Sequence, residues 1–278
     1  KYLFDVIDFE SDLSKYKVII LPDVIRADID FAKRLREFCD CGGKVLATGK
    51  SALYENNNEF CLNLGAERIK ENPYKPDYFR PLEKIKGMGD TGYIMYGNGE
   101  KIRCIGNELG IRENPYFNRT RAHFCSHQHT PNSCEYGGAG MTEGKDGIYI
   151  AWNIFADYAQ SGELHLKQMA IFALDRLLDS AKTLKTNLPA QGIVTLMKQS
   201  DRLICHLLYA SPVKRGNGIE VIEAIVPIYN VELAIKTDRN INKVYIAPQK
   251  KDIDFTYENG YISVKLDKIE CHQMIVFE

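Results

Sequence analysis

Several things are scarce in this chain of 278 residues, and each absence excludes something. No apolar run approaches the ~20 residues that a membrane-spanning helix needs, so no membrane partner is expected. No net field of either sign exists: 36 basic against 37 acidic residues leave a formal charge of -1, which gives no basis for a nucleic-acid or anionic-membrane partner. There is one Trp. No internal repeat, low-complexity tract or signal-peptide pattern is present. The chain opens on Lys1-Tyr2-Leu3-Phe4 instead of an initiator Met, in sequence that already reads as structured, which suggests a piece of a longer protein. Eight Cys are present at irregular spacing. A chain this long does not need disulfides to build a core, so they read as free thiols in a reducing, cytoplasmic compartment.

What is present is ordinary globular material, 45% hydrophobic and 26% charged, enough for two domains. The organising stretch is 16–51. Val18–Leu21 reads as a strand buried on both faces. Asp28 is placed to cap a helix whose stripe is Phe31, Leu35 and Phe38. Gly42-Gly43 ends that helix, and Val45–Ala47 is a second buried strand. Phe4–Phe9 reads as a further short strand and Phe60–Leu64 as a short helix. Gly92–Tyr96 and Lys101–Gly106 suggest a hairpin about Gly97-Asn98-Gly99. A Gly-rich turn at 137–140 is followed by a strand at Ile148–Trp152 and one long helix from Gly162 to Asp179. Alternating strands and helices point to an open, mainly parallel α/β sheet.

The texture changes after a polar segment at 182–190. Short runs with period-two alternation follow, and Asn259-Gly260 is a hairpin signal. These predict a small antiparallel β-sandwich. The domain reading is 1–181, a linker at 182–190, and 191–278.

Four places are candidates for chemistry. Thr48-Gly49-Lys50-Ser51 lies at the carboxyl end of a strand, where open α/β sheets bind ligands. It lacks a Gly-x-Ser-x-Gly elbow, because Leu53 stands where the second Gly is needed. It also lacks a phosphate-binding loop, because Lys44 stands five positions before Gly49. A hydrolase- or amidotransferase-like enzyme at Ser51 is the alternative to a plain connection. His123, Cys125, His127 and His129 alternate; if extended, they share a face and could hold a metal, with a sugar- or partner-contacting loop and a plain surface as rival readings. Same-side positions sit nearly 7 Å apart, a poor fit to a compact tetrahedral site, so no metal is expected. Trp152 either stacks on a sugar ring or fills the core, and core is favoured. Tyr74, Tyr78 and Phe79 form a cluster open to the same two readings. No pair of carboxylates stands out as an acid and nucleophile, and no catalytic residue or cofactor is assigned.

The stretches YKVIILPD, LREFCDCGGKVLATGKS, AHFCSHQHTP, KTNLPA and HLLYASPVKRGNGIEVIEAIVPIYNVELAIKT, continuing to CHQMIVFE, resemble the C-terminal half of bacterial glycosidases. These are the family 42 β-galactosidases and related α-L-fucosidases that carry a β-galactosidase trimerisation domain. The resemblance implies a catalytic barrel outside this chain, a flavodoxin-like domain similar in fold to class I amidotransferases, and a β-sandwich. It implies self-association as a homotrimer, carbohydrate as the parent enzyme's substrate, and no catalytic residue here. His123, His127, His129 and Trp152 are then the positions expected to contact ligand or partner.

Overall fold

The computed structural model describes residues 1–179 and 182–278. Residues 180 and 181, where the expected first domain ends, lie outside the described residues. The chain divides into two compact units, Asp8–Asp179 and residues 182–278 together with Lys1–Ile7.

In the first unit, β1 (Val18–Leu21), α1 (Ile29–Asp40) and β2 (Lys44–Thr48) form a parallel βαβ unit. Helix α1 starts where Asp28 Oδ1 accepts the Phe31 N–H at 2.7 Å, because first-turn amides have no partner inside the helix. It buries Phe31, Ala32, Leu35, Phe38 and Cys39, each full Leu or Phe burial stabilising by ~1.5–3 kcal/mol. Strands β3 (Ala66–Glu71), β4 (Asp77–Pro81), β5 (Tyr93–Met95), β6 (Glu100–Cys104), β7 (Asn107–Pro115) and β8 (Asn132–Glu143) follow before the chain returns to the parallel part in β9 (Gly147–Ile150). Two helices come last, α2 (Ile154–Ser161) and α3 (Leu164–Leu178).

The nine strands form one mixed sheet in the order β1-β2-β9-β8-β7-β4-β5, with β3 paired to β6 and β6 to β8. Only β1, β2 and β9 are parallel neighbours. The flavodoxin-like, class I amidotransferase-like open parallel sheet expected from the sequence is therefore wrong: 42% of the chain is strand and 14% helix, and the sheet is mixed and curled like a half-barrel. A parallel neighbour needs a crossover, usually a helix, and the six strands of 66–143 have none between them. They pair antiparallel, and register shifts along β7/β8 add the bulges that curl the sheet.

Several local expectations change with it. Residues 4–9 form no strand, and Val6 is 92% exposed. Strand β1 lies at the sheet edge, with Ile20 37% exposed, so it is not buried on both faces. Residues 60–64 form no helix. Strands β5 and β6 exist but do not pair as a hairpin; β5 joins β4, and β6 joins β3 and β8. The expected Gly-rich turn is the middle of β8, because those glycines let other side chains lie against the strand. A Cβ on Gly140 would meet the Trp152 ring at 2.8 Å. The long helix expected from Gly162 to Asp179 is α3, and an unexpected helix, α2, precedes it and ends at Gly162, whose φ of +69° suits a residue without Cβ.

In the second unit, β10 (Leu184–Thr186) lies within the segment expected as linker. It is followed by β11 (Ile193–Gln199), β12 (Arg202–Leu208), β13 (Val213–Gly216), β14 (Ile219–Val221), β15 (Ile228–Lys236), β16 (Val244–Ala247), β17 (Lys251–Asp252), β18 (Phe255–Glu258), β19 (Tyr261–Ile269) and β20 (His272–Phe277). They make a four-stranded sheet, β10-β15-β19-β18, and a five-stranded sheet, β11-β12-β20-β16-β17, both antiparallel, with β13/β14 a separate ribbon. Alternate residues of both sheets, among them Cys205, Leu207, Leu233, Val264, Ile275 and Phe277, meet in one apolar core.

Candidate functional site

The carboxyl edge of the parallel strands is closed by its own side chains. Asp23, buried after β1, accepts Thr48 Oγ1–H at 2.7 Å and the Ala156 N–H at 2.7 Å, so it caps α2 from outside that helix. Ser51 is fully buried, and its Oγ accepts the Ile25 N–H at 3.0 Å. Lys50 pairs with Glu71. A nucleophile must face substrate with a base in reach. Ser51 faces inward, which removes the ground for hydrolase or amidotransferase chemistry there.

Beside this edge Asp157 packs against Gly97. Burial, with the charges of Asp23 and Glu163, pushes its carboxyl up to about 6, and Lys75 opposes the shift. Its Oδ2 has no hydrogen-bond partner.

Trp152 is 0% exposed. Its Nε1–H donates to Asp77 Oδ1 at 2.8 Å, Phe79 meets it edge to face, and the Arg112 guanidinium lies 4.2 Å from the ring centroid. The ring is a packing element and cannot stack on a ligand from this position. Asp77 also accepts from Asn72 Nδ2 at 2.7 Å and pairs with Arg112, whose Nη2 donates to the Glu100 carbonyl at 2.8 Å. Burial pulls Arg112 down to about 9, which leaves it charged at neutral pH, and Asp77 supplies the counter-charge. Nearby, buried Glu100 pairs with Arg68 at 2.6 Å. Sequence reading missed this centre. Nothing local marks Arg112, which stands among Asn, Glu and Gly in β7, and its partner lies 35 residues away.

The loop between β7 and β8, residues 116–131, rises from this rigid base. Its lower part is tied down. The Tyr78 hydroxyl donates to the Thr130 carbonyl at 2.6 Å, Asn118 Nδ2 donates to the Pro73 carbonyl at 2.7 Å, and Arg119 Nη1 donates to the Gln128 carbonyl at 2.8 Å. His129 is half-buried, its Nδ1 2.9 Å from the Tyr96 hydroxyl. Burial raises the Tyr78 and Tyr96 phenols above their ordinary value, so both remain O–H donors.

The upper part is open. His123 and His127 are exposed, and Phe124 is 73% exposed. The loop is irregular, so the one-face alternation of His123, Cys125, His127 and His129 is not realised. Among the described residues no group of three or more His, Cys, Asp or Glu side chains is arranged to hold a metal. The arrangement offers two exposed imidazoles and an exposed ring on an anchored base, a set suited to hydrogen bonding and stacking with a polar partner. No helix among the described residues is long and apolar enough to cross a membrane.

With the geometry established, comparison with known proteins is informative. Residues 3–71 match the β-galactosidase trimerisation domain. The chain is similar over 99% of its length to α-L-fucosidase isoenzyme 2 from Paenibacillus thiaminolyticus, at 49% identity and a TM-score of 0.96, and covers 43% of that protein. The β-galactosidase from Bacillus circulans sp. alkalophilus shares the fold at 17% identity and a TM-score of 0.59, over 99% of this chain and 35% of that one. The cold-adapted β-galactosidase from Rahnella sp. R3 does so at 14% identity and a TM-score of 0.54, over 98% of this chain and 34% of that one. Comparison with curated protein sequences yields no match. The chain thus spans less than half the length of each of these relatives. It carries a β-galactosidase trimerisation domain of the glycoside hydrolase family 42 type, and is a small accessory region rather than a full catalytic barrel.

Proposed function

We propose that this chain is the self-associating accessory part of a cytoplasmic glycosidase, of β-galactosidase or α-L-fucosidase type, that acts in carbohydrate metabolism. Its parent assembles as a homotrimer, and the 116–131 loop contacts carbohydrate at a catalytic barrel. The observation that carries the second half is the contrast within that loop. His129, Thr130 and Asn118 are held, whereas Phe124 and His127 are exposed, as is His123, whose ring lies against Phe117. Imidazoles and an exposed ring recognise sugar hydroxyls and apolar sugar faces. The match to a trimerisation domain supports the first half, and eight free thiols support a reducing compartment. Trp152 contributes indirectly, by fixing the base of the loop.

The test uses the full-length enzyme. His123→Ala and His127→Ala are expected to raise KM for a fucoside or galactoside while light scattering shows an unchanged trimer. A strictly monomeric wild-type enzyme overturns the assembly role, and unchanged kinetics in both variants overturns the sugar contact.

A further inference from the structure

The outer face of the five-stranded sheet carries a second group of donors. On β12 and β20 the inward residues are Cys205, Leu207, Ile275 and Phe277, all in the apolar core. Strand alternation therefore puts His206, His272 and Met274 on the opposite face. The antiparallel register sets His206 against Met274 and Leu208 against His272, so the two histidines are diagonal neighbours. His206 Nδ1 and His272 Nε2 lie 2.9 Å apart, with ring planes within 10° of each other. Metal–imidazole bonds of ~2.0–2.1 Å that meet at a right angle place their nitrogens about 2.9 Å apart, whereas a tetrahedral ion needs about 3.4 Å.

We infer that His206, His272 and Met274 form a binding site for a late first-row divalent metal ion that accepts cis, right-angled ligands. Without metal, one imidazole N–H donates to the other ring's lone pair. On binding, the donor ring's proton moves through water to that ring's other nitrogen, both rings turn their lone pairs toward the ion, and water completes its shell. Two imidazoles favour Cu²⁺, then Ni²⁺, over Zn²⁺, in line with the general order of divalent affinities. Met274 faces His206 across the ladder and offers its thioether as a weak additional ligand.

Calorimetry on the full chain with Ni²⁺, a probe that thiols do not reduce, tests the site. One Ni²⁺ should bind wild type, and His206→Gln or His272→Gln should each weaken it at least about tenfold, the size that even an outer-shell loss carries. Met274→Leu should leave Ni²⁺ affinity within about twofold, because Ni²⁺ gains little from a thioether. Circular dichroism checks that each variant is folded. If wild type shows no heat of binding, or if the folded His206→Gln/His272→Gln double variant binds Ni²⁺ as tightly as wild type, the pair is a hydrogen bond only and the proposal fails.

Discussion

Two neighbouring regions of the first unit use polar residues in opposite ways. Around Trp152, charges are buried, paired and enclosed: Asp77 serves Arg112, Trp152 and Asn72 at once. In the 116–131 loop, His123 and His127 stand in solvent above an anchored base. A buried charge costs several kcal/mol unless it is paired, so a cluster whose charges pair with one another holds structure; here only Arg112 Nε lacks a partner, and it is fully buried. An exposed imidazole contributes little to stability and keeps its lone pair and N–H available. The difference teaches that the rare residue, Trp152, is the less informative guide to function here. The common polar residues on an irregular but tethered loop are the better one.

The largest effect expected is at the buried pair. Asp77→Ala should cost ~3–5 kcal/mol in urea unfolding, because it leaves Arg112 charged and unpaired. A cost below about 1 kcal/mol would mean that water reaches the centre, and the contrast with the loop would collapse. Trp152→Phe replaces the buried indole by a smaller ring and strips one donor from Asp77, and should cost at least ~1–3 kcal/mol in the same measurement.

Asp157 sits between the two regimes. Its folded carboxyl is raised to about 6, above the unfolded value, so its stability contribution is full below the unfolded pKa and is lost as pH rises through about 6. Asp157→Asn should therefore raise Tm at pH 7, and the gain should vanish near pH 4. A gain that does not depend on pH would show that charge is not the cause. Smallest of all, His123→Ala and His127→Ala should each change stability by less than about 0.5 kcal/mol. A larger loss would place them in the folded framework and remove their claim to a partner.

The candidate site was legible only in part. The loop was visible as a His-rich stretch without helix or strand periodicity, yet the alternation that suggested a shared face depended on an extended backbone that the loop does not adopt. His129 differs from its neighbours because Tyr78 and Tyr96 arrive from β4 and the segment after β5, which no local pattern announces. The Ser51 loop failed its motif tests in the sequence, and its inward hydroxyl follows from a bond to Ile25 that spacing cannot reveal. The glycines at 137–140 read as a turn because nothing local shows that the Trp152 ring lies against them.

By itself the sequence determined the local units: the capped helix from Asp28, the parallel pair around it, and the Asn259-Gly260 hairpin between β18 and β19. It also carried the resemblance to the trimerisation-domain glycosidases. The local units rest on periodicity, capping and turn chemistry, which act over a few residues, whereas the resemblance rests on extended similarity of sequence. Only the tertiary structure decided that the sheet is mixed and curled, because strand pairing is chosen among distant segments by burial and register. It also decided that Trp152 belongs to the core and the exposed histidines to the surface, since burial is a property of the packed chain.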